Sequence, residues 1–153
     1  MKIRTAGTED AAALVDVINA AFRRAEAFFI EGDRIDLAQV HAYLQKGVFL
    51  VEAELGACVY VELRGARAYF GLLSVDPERQ GSGLGKALIQ AAEAYAREHG
   101  CGHMDIRIVN LRAELPAFYE RLGYVETGTE PFTAGVPTKL PCHFLAMEKC
   151  LAG

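Results

Sequence analysis

The sequence has no excess of positive charge and no long apolar run. Its 153 residues include 16 lysines and arginines against 20 aspartates and glutamates, which gives a net charge of −4. A nucleic-acid-binding surface needs a concentration of basic residues, so this composition argues against one. No apolar stretch approaches the roughly 20 residues that cross a bilayer. We therefore expect a protein that binds neither nucleic acid nor membrane.

The N-terminal region also lacks the apolar core of a secretory signal peptide, because Glu9 and Asp10 fall where that core would begin. The sequence has four cysteines, and no two of them form a CxxC pair: Cys58, Cys101, Cys142 and Cys150. Their spacing fits no zinc pattern, so we predict reduced thiols and no metal site. These features together favour a cytoplasmic protein.

The spacing of apolar residues predicts an α/β fold with the element order β-α-α-β-β-β-α-β-α-β-β. The predicted strands are residues 2–5, 48–53, 57–63, 68–75, 104–108, 124–127 and 143–149. The first predicted helix is capped by Thr8, and the other three cover residues 36–46, 84–99 and 116–122. Glycines in the short connections (Gly56 and Gly65) predict antiparallel hairpins. We expect a single domain, residues 1–153, with a mixed sheet of about seven strands and helices on both faces.

Three glycines stand at alternate positions between the fourth predicted strand and the third predicted helix. Gly81, Gly83 and Gly85 lack a Cβ, so the backbone can approach a ligand closely there. The helix that begins directly after them presents unpaired N–H groups and the positive end of its dipole to the loop. Both features favour an anionic ligand, and the arrangement suits a phosphate-bearing cofactor.

Two common phosphate-binding motifs are incomplete in this loop. A nucleoside-triphosphate P-loop, GxxxxGK[ST], requires glycine where Gln80 stands and serine or threonine where Ala87 stands. The dinucleotide fingerprint GxGxxG requires a third glycine where Lys86 stands. Both mismatches disfavour ATP and dinucleotides, and an unrelated nucleotide-binding α/β protein is left as the weakest alternative.

Two other motifs match one family at the expected separation. Residues 80–85, Gln-Gly-Ser-Gly-Leu-Gly, fit the pattern Gln/Arg-x-x-Gly-x-Gly/Ala after a strand that ends LSVDP. Residues 110–124, NLRAELPAFYERLGY, are similar to a strand–helix–strand segment of the form N…A…FYxxxGF. With these two motifs and this element order, the chain resembles the GNAT N-acetyltransferase superfamily, whose glycine loop binds acyl-CoA. The resemblance extends from about residue 2 to residue 149.

The resemblance implies acetyl-CoA as co-substrate, with its pyrophosphate on the loop amides and its pantetheine along the fourth strand. The cofactor-binding residues that it implies are Leu73, Ser74, Val75, Gln80, Gly81, Ser82, Gly83, Leu84, Gly85, Lys86, Asn110 and Phe118. The basic residues that it offers for the nucleotide phosphates are Arg79, Lys86 and Arg112. It also implies two catalytic groups: the Val75 amide as oxyanion donor and the Tyr119 hydroxyl as the acid that protonates the departing thiolate.

The implied reaction is direct transfer of an acetyl group to a primary amine, with no covalent enzyme intermediate. In some relatives a glutamate on the fourth strand is the base, but here Tyr69 holds that place and is a poor base at neutral pH. Glu62 and a chain of water molecules are the alternatives for the base. A non-catalytic acyl-CoA sensor is the alternative function, because binding alone requires the same glycine loop.

The amine acceptor is expected to meet residues 23–34 and 130–143, by analogy with the family. The first of these segments combines apolar and acidic side chains: Phe28, Phe29, Ile30, Glu26, Glu31 and Asp33. This composition fits either a partly apolar, cationic amine held by carboxylates or the contact surface of a homodimer. The sequence does not decide between the two.

Overall fold

The computed structural model describes residues 2–151, which form a seven-stranded mixed sheet and four α-helices. The strands are β1 Ile3–Thr5, β2 Val48–Glu52, β3 Ala57–Arg64, β4 Arg67–Val75, β5 His103–Val109, β6 Val125–Pro131 and β7 His143–Cys150. The helices are α1 Ala11–Glu26, α2 Leu37–Lys46, α3 Leu84–Glu98 and α4 Leu115–Arg121, with 3₁₀ turns at Thr8–Asp10 and Pro77–Arg79. This order of elements confirms the predicted fold class.

Local signals in the sequence explain where two of the helices begin and end. The Asp36 carboxylate accepts a hydrogen bond from the Gln39 amide at 2.8 Å, and Gln39 Oε1 accepts one from the Asp36 amide, which closes a capping box at the start of α2. α2 ends at Lys46, as predicted, and Gly47 follows as its C-cap. Gly100 follows α3 with a φ of 81°, the left-handed conformation that glycine favours after a helix.

The predicted cap of α1 is wrong, because Thr8 lies in a separate 3₁₀ turn and α1 begins at Ala11. The turn is closed by Asp10, whose carboxylate accepts hydrogen bonds from the Gly7 amide at 2.9 Å and from the Arg4 guanidinium at 2.8 Å. The hydrogen bond from Arg4 lowers the pKa of Asp10 to about 2. A contact between β1 and the turn therefore sets the start of α1, and spacing along the chain does not reveal it.

The sheet has the strand order β1-β2-β3-β4-β5-β7-β6, and only the β4–β5 pair is parallel among the described strands. The two glycine-containing hairpins, β2–β3 and β3–β4, are antiparallel as predicted. β6 continues beyond its predicted end at Thr127, because it stays paired with β7 as far as Pro131 opposite His143. Proline is tolerated there because β6 is an edge strand.

Two apolar clusters cover the two faces of the sheet. One packs α3 and α4 against the sheet and contains Phe70, Leu88 and Met104. The other packs α1 and α2 against the opposite face and contains Leu14 and Val40. β4 contributes side chains to both clusters, so it lies in the middle of the molecule with helices on either side.

β4 and β5 are neighbours over only part of their length. Their parallel pairing covers three residue pairs and ends at Tyr69–Asp105. Beyond that point β3 stays paired with β4 as far as Val75, and β7 stays paired with β5 as far as Val109. The sheet therefore divides into two halves that separate from each other toward the carboxyl ends of β4 and β5.

A bulge in β4 accompanies this separation. The register between β3 and β4 shifts between Cys58 and Tyr60, where one extra residue enters β4. Within the bulge Leu72 has a φ of 53°, which is uncommon for a residue other than glycine. A bulge bends its strand and increases the local twist, so β4 can turn away from β5 while its pairing with β3 continues.

Within residues 2–151 no helix is both long enough and apolar enough to cross a membrane. Cys58 and Cys101 are buried free thiols, Cys142 is a partly buried free thiol, and Cys150 is exposed. No group of three or more potential metal ligands lies together in that part of the chain.

Candidate active site

A cleft of about 640 Å³ opens where β4 and β5 diverge. The predicted site residues that line it are Leu73, Val75, Gln80, Gly81, Gly83, Leu84, Gly85, Lys86, Phe118 and Tyr119. The end of β4 and the glycine loop form one wall, and β5 with α4 forms the other. The separation of the two strands thus brings the two predicted motifs to opposite sides of one cavity.

The glycine loop has the shape of an anion-binding site. Gly81 and Gly83 have φ values of 82° and 83°, which only glycine adopts at little cost. In the part of the chain that the structure describes, the amides of residues 81–86 donate no hydrogen bond. No side chain caps α3, so its positive dipole end is also open to the cleft. Consecutive free amides at a helix N-terminus are well suited to a phosphate group.

Gly85 serves a different purpose from the other two glycines. It lies in the first turn of α3, and its φ is not in the left-handed region. A Cβ at this position would meet only Val75 Cγ2, at the ordinary contact distance of 3.7 Å. The fold therefore does not require glycine here, and the space left by the missing Cβ belongs to the cleft.

Arg79 anchors the loop to the β2–β3 turn. Its Nη1 donates a hydrogen bond to Glu52 Oε2 at 2.8 Å, and the buried Glu52 carboxylate also accepts hydrogen bonds from the Glu54 and Gly56 amides. Burial raises the pKa of Glu52, but these hydrogen bonds outweigh burial and the pKa is lowered overall. Arg79 lines the cleft as predicted for a phosphate ligand, yet its guanidinium is already committed to this carboxylate.

The backbone of Val75 faces the cleft. The Asp76 amide donates a hydrogen bond to the Gly56 carbonyl at 2.8 Å, so these two residues form a hydrogen-bonded pair of the antiparallel ladder. The adjacent pair, Ala57 and Val75, is then of the non-hydrogen-bonded kind, whose N–H and C=O groups point away from the partner strand. Since β5 has already diverged, the N–H of Val75 has no strand partner on that side.

Three predicted site residues lie outside the lining of the cleft. The hydroxyls of Ser74 and Ser82 donate hydrogen bonds to backbone carbonyls two and three residues earlier in the chain. Asn110 Oδ1 accepts a hydrogen bond from the His143 amide at 2.8 Å and so joins the end of β5 to the start of β7. These three side chains stabilise the backbone around the site and do not face the cavity.

Tyr119 and Tyr124 belong to the same motif, but only Tyr124 has a partner for its hydroxyl. The Tyr124 hydroxyl donates a hydrogen bond to Glu93 Oε2 at 2.7 Å. The Tyr119 hydroxyl makes no hydrogen bond to any described residue, although the side chain is only 6% exposed and lines the cleft. Burial raises the pKa of Tyr119 to about 12, and the charge of Arg112 opposes this effect. The phenol is therefore protonated at neutral pH.

The two protein groups predicted as bases lie in different environments. Glu62 is outside the lining of the cleft, and its carboxylate accepts hydrogen bonds from the Tyr60 hydroxyl at 2.6 Å and from Arg64 Nε at 2.5 Å. Burial raises the pKa of Glu62, but these two hydrogen bonds lower it by more. Tyr69 does line the cleft, and its ring lies 4.5 Å from the Arg64 guanidinium and 5.5 Å from that of Arg107.

A carboxylate that the sequence analysis did not single out as a base lies in the cleft. Glu26, the last residue of α1, is 5% exposed, and its Oε2 accepts a hydrogen bond from Arg112 Nη1 at 3.0 Å. Burial raises the pKa of Glu26, and the charge of Arg112 opposes this shift. Tyr119 lines the same cleft, and the charge of Arg112 lowers the pKa of both groups.

Helical phase is the signal that would have distinguished Glu26 from its acidic neighbours. Glu26 follows Phe22 by four residues, so both lie on the same side of α1, and both line the cleft. Glu31 and Asp33 come after the helix, are exposed and do not line it. One carboxylate of the three predicted for the acceptor segment therefore reaches the site.

The two segments predicted to meet the acceptor pack against each other. Ile30 and Thr138 form an isolated antiparallel bridge, and the Lys139 amide donates a hydrogen bond to the Phe29 carbonyl at 2.7 Å. Phe29 and Ile30 are buried in a cluster with Phe144, and neither of them lines the cleft. Phe29 and Ile30 are therefore core residues, and their apolar side chains serve packing inside the molecule rather than contact with an acceptor or a second subunit.

The fold and the cleft agree with a single protein family. The family description "Acetyltransferase (GNAT) domain" matches residues 41–126, more than half of the chain. The protein belongs to this family of acetyltransferases, which confirms the resemblance found in the two motifs.

Two named acetyltransferases are similar in sequence to part of this chain. Streptothricin acetyltransferase of Streptomyces lavendulae is 33% identical over 58 residues, which cover 38% of this chain and 31% of that protein. Blasticidin-S acetyltransferase of Streptomyces morookaense is 38% identical over 78 residues, which cover 50% of this chain and 54% of that protein. The chain thus spans from about a third to about half of the length of these relatives.

Solved structures match over nearly the whole chain. The Salmonella typhimurium protein yncA, whose structure contains its cofactor acetyl-CoA, has a TM-score of 0.75 and 26% identity over 100% of this chain and 95% of its own. Ribosomal-protein-alanine N-acetyltransferase from Brucella melitensis has a TM-score of 0.77 and 23% identity over 98% and 99% of the two chains. The second match, at this identity, supports the fold alone.

The open space above Gly85 leads to a first prediction. The motif allows alanine at this position, so a larger side chain is needed: in Gly85→Leu the isobutyl group occupies the cleft, and we expect the dissociation constant for CoA to rise about tenfold or more, a loss of ~1.4 kcal/mol. Leucine is a better helix former than glycine by up to about 1 kcal/mol, so the variant should unfold at the same temperature as the wild type or higher. Isothermal titration calorimetry and thermal unfolding measure the two effects.

Gly128→Leu is the matched control, because Gly128 also has open space around it and does not line the cleft. It should bind CoA as the wild type does. Unchanged CoA binding by Gly85→Leu would mean that the ligand does not enter the cleft beside this residue.

Proposed function

We propose that this protein transfers an acetyl group from acetyl-CoA to a primary amine. The observation that carries the proposal is that one cleft holds both the unpaired amides of the glycine loop and the unpartnered hydroxyl of Tyr119. The amides and the helix dipole suit the pyrophosphate of CoA, and a protonated phenol suits a thiolate leaving group. The acetyl-CoA in the yncA structure supports this choice of co-substrate.

The backbone of β4 suits the acyl end of the co-substrate. Because the N–H of Val75 points into the gap left by β5, a pantetheine chain can pair with β4 much as a neighbouring strand would. The same N–H is a preorganised donor for the negative charge that develops on the thioester oxygen. Leu73, which lines the cleft two residues earlier, supplies an apolar side chain on the same wall.

The reaction balances with the groups available. The amine nitrogen forms a bond to the thioester carbon, the C–S bond breaks, and the sulfur leaves with the bonding electron pair. The Val75 N–H stabilises the oxyanion, and Tyr119 gives its proton to the sulfur. The nitrogen loses one proton to a base, and exchange with solvent returns a proton to Tyr119.

Glu26 is the base that we propose for this step. It is a carboxylate in the lining of the cleft that also contains Tyr119, and burial raises its pKa toward the range useful for catalysis. Its Oε1 accepts no hydrogen bond from a described residue and is free to accept one from an amine. Glu62 lacks these properties because both of its oxygens are engaged outside the cleft.

The proposal is tested by incubating the purified protein with acetyl-CoA and a panel of primary amines. Released CoA is measured with a thiol reagent, and the acetylated amine is identified by mass spectrometry. Transfer to at least one amine is the expected result. Tight binding of acetyl-CoA without turnover across a broad panel would instead favour the acyl-CoA sensor.

The unpartnered hydroxyl of Tyr119 leads to the second prediction. Tyr119→Phe removes the proton donor and keeps the ring, so we expect kcat to fall on the order of 100-fold with little change in stability. Because the pKa of Tyr119 is about 12, the wild type should show no loss of kcat from ionisation of this phenol between about pH 7 and pH 10.

Tyr95→Phe is the control for this change, since Tyr95 carries the same hydroxyl on α3 but does not line the cleft. Its kcat should match that of the wild type. Equal activity of the Tyr119→Phe variant and the wild type would remove the phenol from the mechanism.

The buried carboxylate of Glu26 leads to the third prediction, which concerns kcat and its pH dependence. Glu26→Gln keeps a hydrogen-bond acceptor for Arg112 but no longer takes up a proton, so we expect kcat to fall on the order of 100-fold. In the wild type, kcat should decline as the pH falls through the pKa of Glu26, and the variant should lose this acid limb. A pH profile at saturating amine measures both effects.

Two further variants separate chemistry from structure. Glu26→Asp should retain part of the activity and the acid limb, whereas a purely structural role would leave the pH profile of every folded variant unchanged. Asp16→Asn removes an exposed carboxylate from the same helix and should change neither kcat nor the profile.

A further inference from the structure

The half of the cleft beneath α1 and α2 differs in chemistry from the half beneath the glycine loop. It is lined by six aromatic side chains, each from a different helix, strand or loop: Phe22, Tyr43, Tyr60, Tyr69, Phe132 and Phe144. These side chains belong to the apolar clusters on the α1–α2 side of the sheet, opposite the cluster that holds Tyr119. In the proposed reaction this half receives the amine.

Arg107 lies in this aromatic half with part of its hydrogen-bonding capacity unused. Its guanidinium carbon is 4.6 Å from the centre of the Phe144 ring and 5.5 Å from that of the Tyr69 ring. Nη1 donates a hydrogen bond to Thr133 Oγ1 at 3.3 Å and lies 3.8 Å from a carboxylate oxygen of Glu130.

The Nε of Arg107 is buried without an acceptor, and no other buried side-chain nitrogen or oxygen of residues 2–151 is in this situation. A buried charged donor without an acceptor is unfavourable, so such a group calls for a partner that the folded chain itself does not supply. Arg107 lines the cleft and its guanidinium makes one hydrogen bond to a described residue, so a ligand in the cleft can supply a further acceptor.

The carboxylates near this half of the cleft are already paired with arginines. Glu26 is hydrogen-bonded to Arg112, which neutralises it. Arg34 lies 5.5 Å from the centre of the Phe22 ring and forms no ion pair with a described residue. The carboxylates of Glu26 and Glu130 thus each have an arginine partner, and neither leaves an unpaired negative charge to hold a purely cationic acceptor.

We propose that the acceptor amine also carries a carboxylate or a similar anionic group, which binds the guanidinium of Arg107, and an apolar or aromatic body that fills the ring-lined space. This inference rests on the proposed function and names the class of its acceptor. A guanidinium presents several donors in one plane and pairs well with a carboxylate, so Arg107 selects the anionic group while the rings contact the rest of the molecule.

The experiment compares amines that differ only in the anionic group. Phenylalanine, methionine and leucine are each tested beside their carboxamides and the corresponding decarboxylated amines. For at least one set, kcat/KM of the wild type should be about ten- to a hundredfold higher for the amino acid than for its neutral counterparts, the usual effect of a hydrogen bond to a charged group. In Arg107→Met this preference should disappear, while transfer to the decarboxylated amine continues.

Two further variants provide a conservative replacement of Arg107 and a control outside the cleft. Arg107→Lys retains the charge but not the Nε donor or the planar fork, and it should keep only part of the preference. Arg24→Gln removes an exposed arginine of α1 outside the cleft and should leave the preference unchanged. Thermal unfolding of each variant confirms that the compared proteins are folded.

The outcomes distinguish this inference from the function on which it rests. Acetylation of neutral amines with kcat/KM equal to or above that of the amino acids would overturn the inference and leave the proposed function standing. A carboxylate preference that survives in Arg107→Met would overturn the role of Arg107. Absence of transfer to every amine, with acetyl-CoA bound, would overturn the proposed function and this inference with it.

Discussion

The early end of the pairing between β4 and β5 is the constraint on which the rest of this structure depends. Backbone groups inside a sheet are normally consumed by the two neighbouring strands. Here β4 loses one neighbour after Tyr69 while it keeps the other as far as Val75. The bulge at Leu72 allows this, because it turns β4 without breaking its ladder with β3. The result is a cleft through the middle of the sheet with backbone donors on one wall.

The same divergence explains why distant parts of the sequence meet. β4 and β5 are parallel, so their carboxyl ends lie at the same edge of the sheet. The glycine loop follows β4, and the segment that carries Tyr119 follows β5. The chain segments that follow two diverging parallel strands lie on opposite walls of the cleft between those strands. Ligands of open α/β sheets commonly bind in such a cleft. The glycine loop and the phenol of Tyr119 therefore line one cleft, although more than 30 residues separate Gly85 from Tyr119.

Local sequence signals predicted the parts of the site that depend on neighbouring residues. The conformations of Gly81 and Gly83 and the start of α3 follow from contacts within a few positions of the chain. The surroundings of Glu26 and Arg107 could not be predicted in this way, because they are formed by residues far away in the sequence. Glu62 was predicted as one alternative for the base, but hydrogen bonds from Tyr60 and Arg64 lower its pKa and hold it outside the cleft.

Periodicity, turn residues and glycine geometry act over short distances, so they predicted the order of the elements, the hairpins in the first half of the sheet and the glycine-rich loop before α3. Three properties became evident only from the folded arrangement: which carboxylate enters the cleft, which tyrosine keeps an unpartnered hydroxyl and which charged side chains line the cavity. Those properties depend on burial and on strand register. Both arise when segments distant in the chain pack together, because desolvation and hydrogen-bond partners then set the chemistry of each side chain.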